Sequence, residues 1–214
     1  MAEHLASIFG TEQDKVNCSF YFKIGACRHG EKCCRVHNKP TFSQTVLLRN
    51  LYLNPNNAAI QQNKSNTIFD QQPVSFHTDE EVQKHFDEFF EEVYTEVEEK
   101  YGEIDAMTVC DNLGEHLVGN IYIKFRSEED AERAVKELNN RWFDRKPIYA
   151  ELSPVTDFKE ASCRQYETGS CNRSGFCNFM HIKTISQDAK KRLRKRQSRK
   201  RSHNSSPSRK TRRY

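Results

Sequence analysis

One spacing pattern occurs twice in this chain, and it limits what the rest can be. Near the start, Cys18, Cys27, Cys33 and His37 form a C-x8-C-x5-C-x3-H string; far downstream, Cys163, Cys171, Cys177 and His181 form C-x7-C-x5-C-x3-H. Three thiolates and one imidazole complete a tetrahedral zinc shell with no position left for water or substrate. A closed shell predicts two structural Zn2+ sites rather than hydrolytic ones. Scattered buried cysteines or disulfides are the alternative, but chance would have to repeat four ligand types with the same x5 and x3 gaps. Modules this short cannot bury a core of their own, so zinc must supply most of their folding energy.

The other two cysteines are Cys34 and Cys110. Eight cysteines in a chain that stays inside the cell argue for metal over disulfides, and Met1-Ala2-Glu3-His4 lacks a charged-then-apolar leader, so secretion is not expected. No run of 18 apolar residues exists, so no spanning helix and no membrane partner are expected. The 214 residues suffice for one ordinary domain plus small metal modules. The net charge of +4 hides two opposed halves. Residues 189–214 hold 13 Lys/Arg and no acid, leaving 21 Lys/Arg against 30 Asp/Glu in residues 1–188, a net −9. Different segments therefore meet partners of different sign.

In chain order, residues 1–11 are a short amphipathic lead-in with Leu5, Ile8 and Phe9 able to pack. The first finger spans 12–40. Between its ligands lie Phe20, Tyr21 and Phe22, then Lys23, Arg28, Lys32 and Arg35. Rings interleaved with cations suit single-stranded RNA, with rings stacking on bases and guanidinium groups meeting phosphates or base edges; some of these rings must instead pack the mini-core. A domain of ordinary composition follows over 43–153. Val46–Leu51 reads as a strand, and 54–78, rich in Asn, Gln and Ser, as a long loop. Asp79–Tyr101 reads as a helix, its apolar face marked by Val82, Phe86, Phe89, Val93, Val97 and Tyr101. Residues 79–105 hold 12 Asp/Glu and two Lys, a poor RNA surface but a possible dock for a basic peptide. Ile104–Cys110 and Leu117–Phe125 are strands, and Asp111–Gly114 between them a turn. Ser127 to Asp130 resembles a capping box opening a second helix over Ala131, Ala134, Val135 and Leu138, and Ile148–Leu152 is the last strand. The order is βαββαβ, predicting an α+β, ferredoxin-like fold of the RNA-recognition-motif type. The second finger spans 157–183, with Arg164, Arg173, Phe176 and Phe179 among its ligands. The basic tail over 184–214, with Ser198-Arg199, Arg201-Ser202 and Ser208-Arg209 steps, has too few apolar residues from Lys190 on to order itself. It suits nuclear import, an electrostatic RNA arm or a phosphorylation-controlled contact.

The middle domain departs from an RNA-reading sheet. In the stretch Val118–Phe125, Gly119, Ile121, Ile123 and Phe125 keep the inward alternation, but Val118 stands in place of the usual basic residue and Asn120 in place of the first ring. On the first strand the outward ring is replaced by Leu47, leaving Tyr122. Losing two stacking platforms, each worth about 1–3 kcal/mol per base, removes most of such a face's affinity. Attention moves to Arg141-Trp142-Phe143, which holds the chain's single Trp. That Trp is either a core plug or a protein-binding hot spot, where Trp and Arg are enriched.

These stretches, together with Ser7–Thr11, His116–Asn120 and Glu151–Phe158, resemble the small-subunit family of the U2 snRNP auxiliary factor, over residues 1 to about 183. The resemblance implies a non-enzymatic nuclear splicing subunit that binds the AG of the pre-mRNA 3′ splice site. It further implies a heterodimer with a large subunit, held by a homology motif that binds peptide rather than RNA. Phe143 would help form a pocket for the partner's Trp, Arg141 would bridge to the acidic helix, Glu92 and Glu96 would meet flanking basic residues, and Trp142 would enter a groove of the partner. Phe20, Arg28 and Arg35 would contact RNA, joined by Arg164, Arg173 and Phe179. Cys34 stands where relatives commonly carry Ser; a thiol is the weaker donor, which leaves the preference for the nucleotide before AG open. The tail would meet other Arg/Ser-rich splicing factors. The alternative class is a stand-alone CCCH regulator of mRNA stability or processing, whose fingers more often lie close in sequence. No open metal site, phosphate-binding glycine loop or nucleophile–base pair points to an enzyme. Because the first and last strands of this topology are antiparallel neighbours, residue 45 should lie near residue 153 and the two fingers should meet.

Overall fold

The computed structural model describes residues 16–57 and 77–204, with side chains described through residue 199. The lead-in, most of the 54–78 loop and the Ser208-Arg209 end of the tail lie outside the described residues. The elements are α1 (Ser19–Ile24), β1 (Thr45–Leu48), α2 (Asp79–Lys100), β2 (Ile104–Val109), β3 (Ile121–Phe125), α3 (Glu128–Leu138), β4 (Trp142–Phe143), β5 (Lys146–Pro147), β6 (Ala150–Leu152), α4 (Phe158–Ala161), α5 (Arg164–Glu167) and α6 (Gln187–Asn204). Four strands form an antiparallel sheet ordered β2-β3-β1-β6.

The sheet has both faces covered. Strand alternation sends Val46, Leu48, Ile121, Ile123 and Phe125 toward α2 and α3, where Phe86, Val93, Val97 and Ala134 complete the larger core. Leu47 and Tyr122 point the other way, into a second core shared with Ile24 of the first finger and Met180 of the second. The protein is therefore three layers: helices, sheet, fingers. This explains why all four residues of β1 are buried, a pattern expected when both faces of a strand are packed.

α2 begins at Thr78, whose hydroxyl accepts from Glu81 N while the Glu81 carboxylate accepts from Thr78 N, a full capping box. The second helix starts differently from expectation. Ser127 accepts from Glu129 N, and Asp130 pairs with Arg133 rather than closing a box. Between α3 and β6 lies a small hairpin that periodicity did not reveal: Trp142 pairs with Pro147 and Phe143 with Lys146. Its turn holds Asp144 and Arg145 at positive φ (44° and 63°), without the glycine that usually marks such turns.

The tail expectation needs correction as far as residue 204, where the described residues end. Gln187–Asn204 is a helix that packs on α2. Arg192 pairs with Glu91 at 2.5 Å, Arg196 with Glu99, and Gln197 Nε2 donates to the Tyr94 hydroxyl. Ala189 is buried, and Leu193 packs against the main core. Lys and Arg are good helix formers; their mutual repulsion is what composition alone registers. The acidic face of α2 neutralises it, so the first basic segment to dock there is the chain's own.

Candidate metal centres and nucleic-acid interface

Each finger is built by the same local plan. A short helix follows the first cysteine: α1 after Cys18, α5 after Cys163. A parallel bridge then ties the residue before that cysteine to the one before the histidine, Asn17 to Val36 and Ser162 to Met180. The amides of Cys18 and Cys163 donate to Val36 and Met180 carbonyls at 2.9 and 2.8 Å. A single-turn 3-10 helix precedes each third cysteine. Inside each finger a tyrosine ring stacks on the ligand histidine: Tyr21 on His37 at 4.5 Å, Tyr166 on His181 at 4.0 Å between centroids.

The donor atoms fit zinc. In each set the four ligand atoms lie within 4.8 Å of one another. The Cys27–Cys33, Cys163–Cys171 and Cys163–Cys177 sulphur separations are all 3.8 Å. That matches the edge of a tetrahedron with Zn–S bonds of about 2.3 Å. His37 Nε2 and His181 Nε2 are buried without a hydrogen-bond partner, the state of a nitrogen reserved for a metal. These are two structural zinc sites, with Cys33 rather than Cys34 in the first. Cys34 is exposed.

The fingers are bound to the domain by different devices. The second is gripped by Asn112, which is buried: its Oδ1 accepts from His181 N at 2.8 Å, and its Nδ2 donates to Cys177 O and Phe179 O at 3.2 and 3.1 Å. Leu113 N donates to Gly175 O, where a β-carbon on Gly175 would come within 2.3 Å of the Leu113 side chain. The first finger instead inserts Ile24 into the second core, beside Tyr122 and Val155. The expected neighbourhood of residues 45 and 153 is seen as a Ser153 N to Thr45 O hydrogen bond of 2.8 Å.

The fingers meet. Phe20 and Phe179 pack edge to face at 6.2 Å. Arg164, Arg173 and Phe179 line one groove with Lys23 of the first finger. Arg28 lies elsewhere, in a cleft between the first finger and the sheet. Arg35 and Cys34 are exposed on the first finger. The three neighbouring rings divide: Tyr21 is buried in the finger, while Phe20 and Phe22 stay open to solvent. Tyr122 does not remain an exposed ring, as the sequence suggested. It is 0% exposed, and Leu47 is 2% exposed, because the fingers lie over them.

On the opposite side, Arg141 pairs with Glu96 at 2.5 Å. Hydrogen bonds from Lys100 and then Arg141 hold the Glu96 carboxyl below the usual carboxylate range. Phe143 packs edge to face on Phe89 at 5.6 Å, and Glu92 is exposed one turn before Glu96. Trp142 is 69% exposed, so it is not a core plug.

The model for the C-x8-C-x5-C-x3-H type zinc finger (and similar) matches residues 13–39 and 158–183, and that for the RNA recognition motif matches 91–149. The chain is 65% identical over 207 residues to the splicing factor U2af 38 kDa subunit of Drosophila melanogaster, covering 97% of this chain and 76% of that one. It belongs to the U2AF small-subunit family of splicing factors. Further members include the human U2AF 26 kDa subunit, 63% identical over 202 residues (94% of this chain, 88% of the other). The 23 kDa subunit of Schizosaccharomyces pombe is 56% identical over 183 residues (86% and 78%). Within a U2AF small subunit of this build, the residues that sequence reasoning missed are those joining the layers. The sequence marks Asn112 only as part of a turn and a family stretch, with no sign that it holds the second finger; it marks His116 only as part of a family stretch, and the structure places it in the lining of the first-finger cleft. The local signal at Asn112 is the Asp111–Gly114 turn itself, whose main chain turns out to bond the second finger.

Proposed function

We propose that this chain is the RNA-reading subunit of a nuclear splicing heterodimer, binding the AG of the pre-mRNA 3′ splice site through its paired fingers and helping to recruit the U2 snRNP. The observation that carries this reading is the joint packing of the fingers, with Phe20 against Phe179 and cations on both sides. Exposed Phe20, packed on the Phe179 that lines a groove with Arg164 and Arg173, supplies stacking surface next to guanidinium groups in reach of one short single strand. The buried sheet face removes the competing site, since rings under the fingers cannot stack on bases.

The heterodimer contact belongs to the other side of the molecule. An exposed Trp beside an Arg–Glu pair and a Phe edge has the composition of an interface centre. Arg141, Trp142 and Phe143, with Glu92 and Glu96, would receive a basic, Trp-containing segment of the large subunit. The tail would engage other Arg/Ser-rich splicing factors.

Two measurements on the zinc-loaded full chain test this. Anisotropy titrations at one fixed salt concentration should show short single-stranded RNA bound at least tenfold more tightly with AG than with CG, and Arg173→Ala should reduce that ratio. Equal binding of the two RNAs would sink AG recognition. Pull-down from nuclear extract should recover a stoichiometric partner that Trp142→Ala loses; finding none would favour a stand-alone CCCH regulator.

A further inference from the structure

The cleft that holds Arg28 is not part of the groove between the fingers. It has a volume of about 510 Å³ and runs between the first finger and the end of the sheet formed by the C-terminal end of β1 and the β2–β3 connection. Leu47 lies in its wall, at the strand position where an RNA-reading sheet carries a stacking ring. The finger contributes Arg28, His29 and Glu31; the sheet side contributes Asn50, Glu115 and His116.

The charges say what kind of group fits. The remaining cations of the wall, Arg49 and Lys39, are already paired with Glu151, at 2.5 and 3.6 Å. Glu31 and Glu115 would repel a bare phosphate but can accept from exocyclic amino groups. His116 is half-buried, and its Nε2 is buried with no hydrogen-bond partner. Burial and the nearby Arg28 guanidinium push its pKa down, so at neutral pH the ring is uncharged and adds no positive charge to the cleft it lines. A mixed donor and acceptor lining in a volume of this size suits a nucleobase with its ribose, not an anion.

We propose that this cleft takes one base of the single-stranded RNA adjoining the dinucleotide, with His116 and Arg28 reading its edge. The proposal rests on the RNA-binding reading above and adds a third subsite, between finger and sheet, to the two fingers. RNA held there runs from the finger surface down to the end of the first strand, so the middle domain contributes to recognition through the connections at one end of its sheet although the face is covered.

The test uses the zinc-loaded full chain and a nine-nucleotide single-stranded RNA with AG at its centre, with each flanking nucleotide replaced in turn by an abasic one. One abasic position should weaken binding to the unaltered protein at least fivefold and have no effect on His116→Leu. The same variant should bind the intact RNA at least fivefold more weakly while keeping its AG-over-CG ratio and two bound zinc ions. His116→Gln, which restores a donor and an acceptor, should recover part of the loss, and it replaces the Leu variant if that one loses zinc. Parallel abasic profiles for variant and unaltered protein would overturn the cleft proposal. If AG preference persists in that case, the finger reading stands alone; coupling without AG preference would retain the cleft and remove the finger reading. Failure to bind any of the RNAs would remove both.

Discussion

Asn112 directs its side-chain amide wholly at the second finger, bonding the amide of one zinc ligand and the carbonyl of another. Truncation to Ala leaves those buried groups unpaired, so Asn112→Ala should destabilise the finger–domain contact by about 2–4 kcal/mol. Hydrogen exchange should report it as faster opening of residues 161–183, with the first finger unchanged; uniform change across both fingers would contradict the assignment. Glu96 gives a second prediction at this scale. Its pKa lies below the ordinary carboxylate value. The link to Arg141 is therefore fully present above the unfolded carboxylate pKa and is lost only as pH falls through the lower folded one. The Trp142 indole NMR signal should hold steady from neutrality into the ordinary carboxylate range and move below it. Individual ligands were legible in the sequence because zinc fixes their spacing. Asn112 was not, because a turn asparagine has the same local pattern whether its amide faces water or another module.

Among the elements, α2 and α6 show how charge patterning can mislead when each segment is taken alone. The acidic helix announced a basic ligand, and the basic tail announced disorder; packed together, each supplies what the other lacks. Arg192→Glu combined with Arg196→Glu should release α6. Circular dichroism at 222 nm should then lose the signal of a helix of this length while the central domain keeps its cooperative melt. Unchanged ellipticity would mean that Leu193 and Ala189, rather than the ion pairs to Glu91 and Glu99, hold it. Roughly 1 M salt, where screening reaches about 3 Å, should weaken the docking without abolishing it. The βαββαβ order was readable because long amphipathic periods are strong signals. The β4–β5 hairpin was not, since two-residue strands have no period and its turn carries no glycine.

For the molecule as a whole, the covering of the sheet by the fingers makes zinc a structural matter for the domain as well as for the modules. Cys110 is buried in the core beneath them, and burial pushes its thiol pKa well up. With zinc bound, a maleimide reagent should modify Cys34 alone; after chelation, Cys110 should become reactive as the second core opens. Mass spectrometry of the labelled peptides checks this, and a persistently silent Cys110 would show that the sheet face stays covered without metal. That coverage was half legible: Leu47 and Asn120 marked a sheet that had given up base stacking, but alternation in one strand does not say what lies above it. The antiparallel placement of β1 beside β6 has a mechanical corollary. Both fingers are attached at the same end of this strand pair, near Thr45 and Ser153. Once the Phe20–Phe179 contact and the Asn112 bonds to the second finger give way, tension that draws the fingers apart peels the strands open one hydrogen bond at a time, from that end, instead of loading the whole ladder in shear. The protein should thus be most compliant along the direction in which it would grip RNA, and stiffest toward Trp142, which such a pull leaves unloaded.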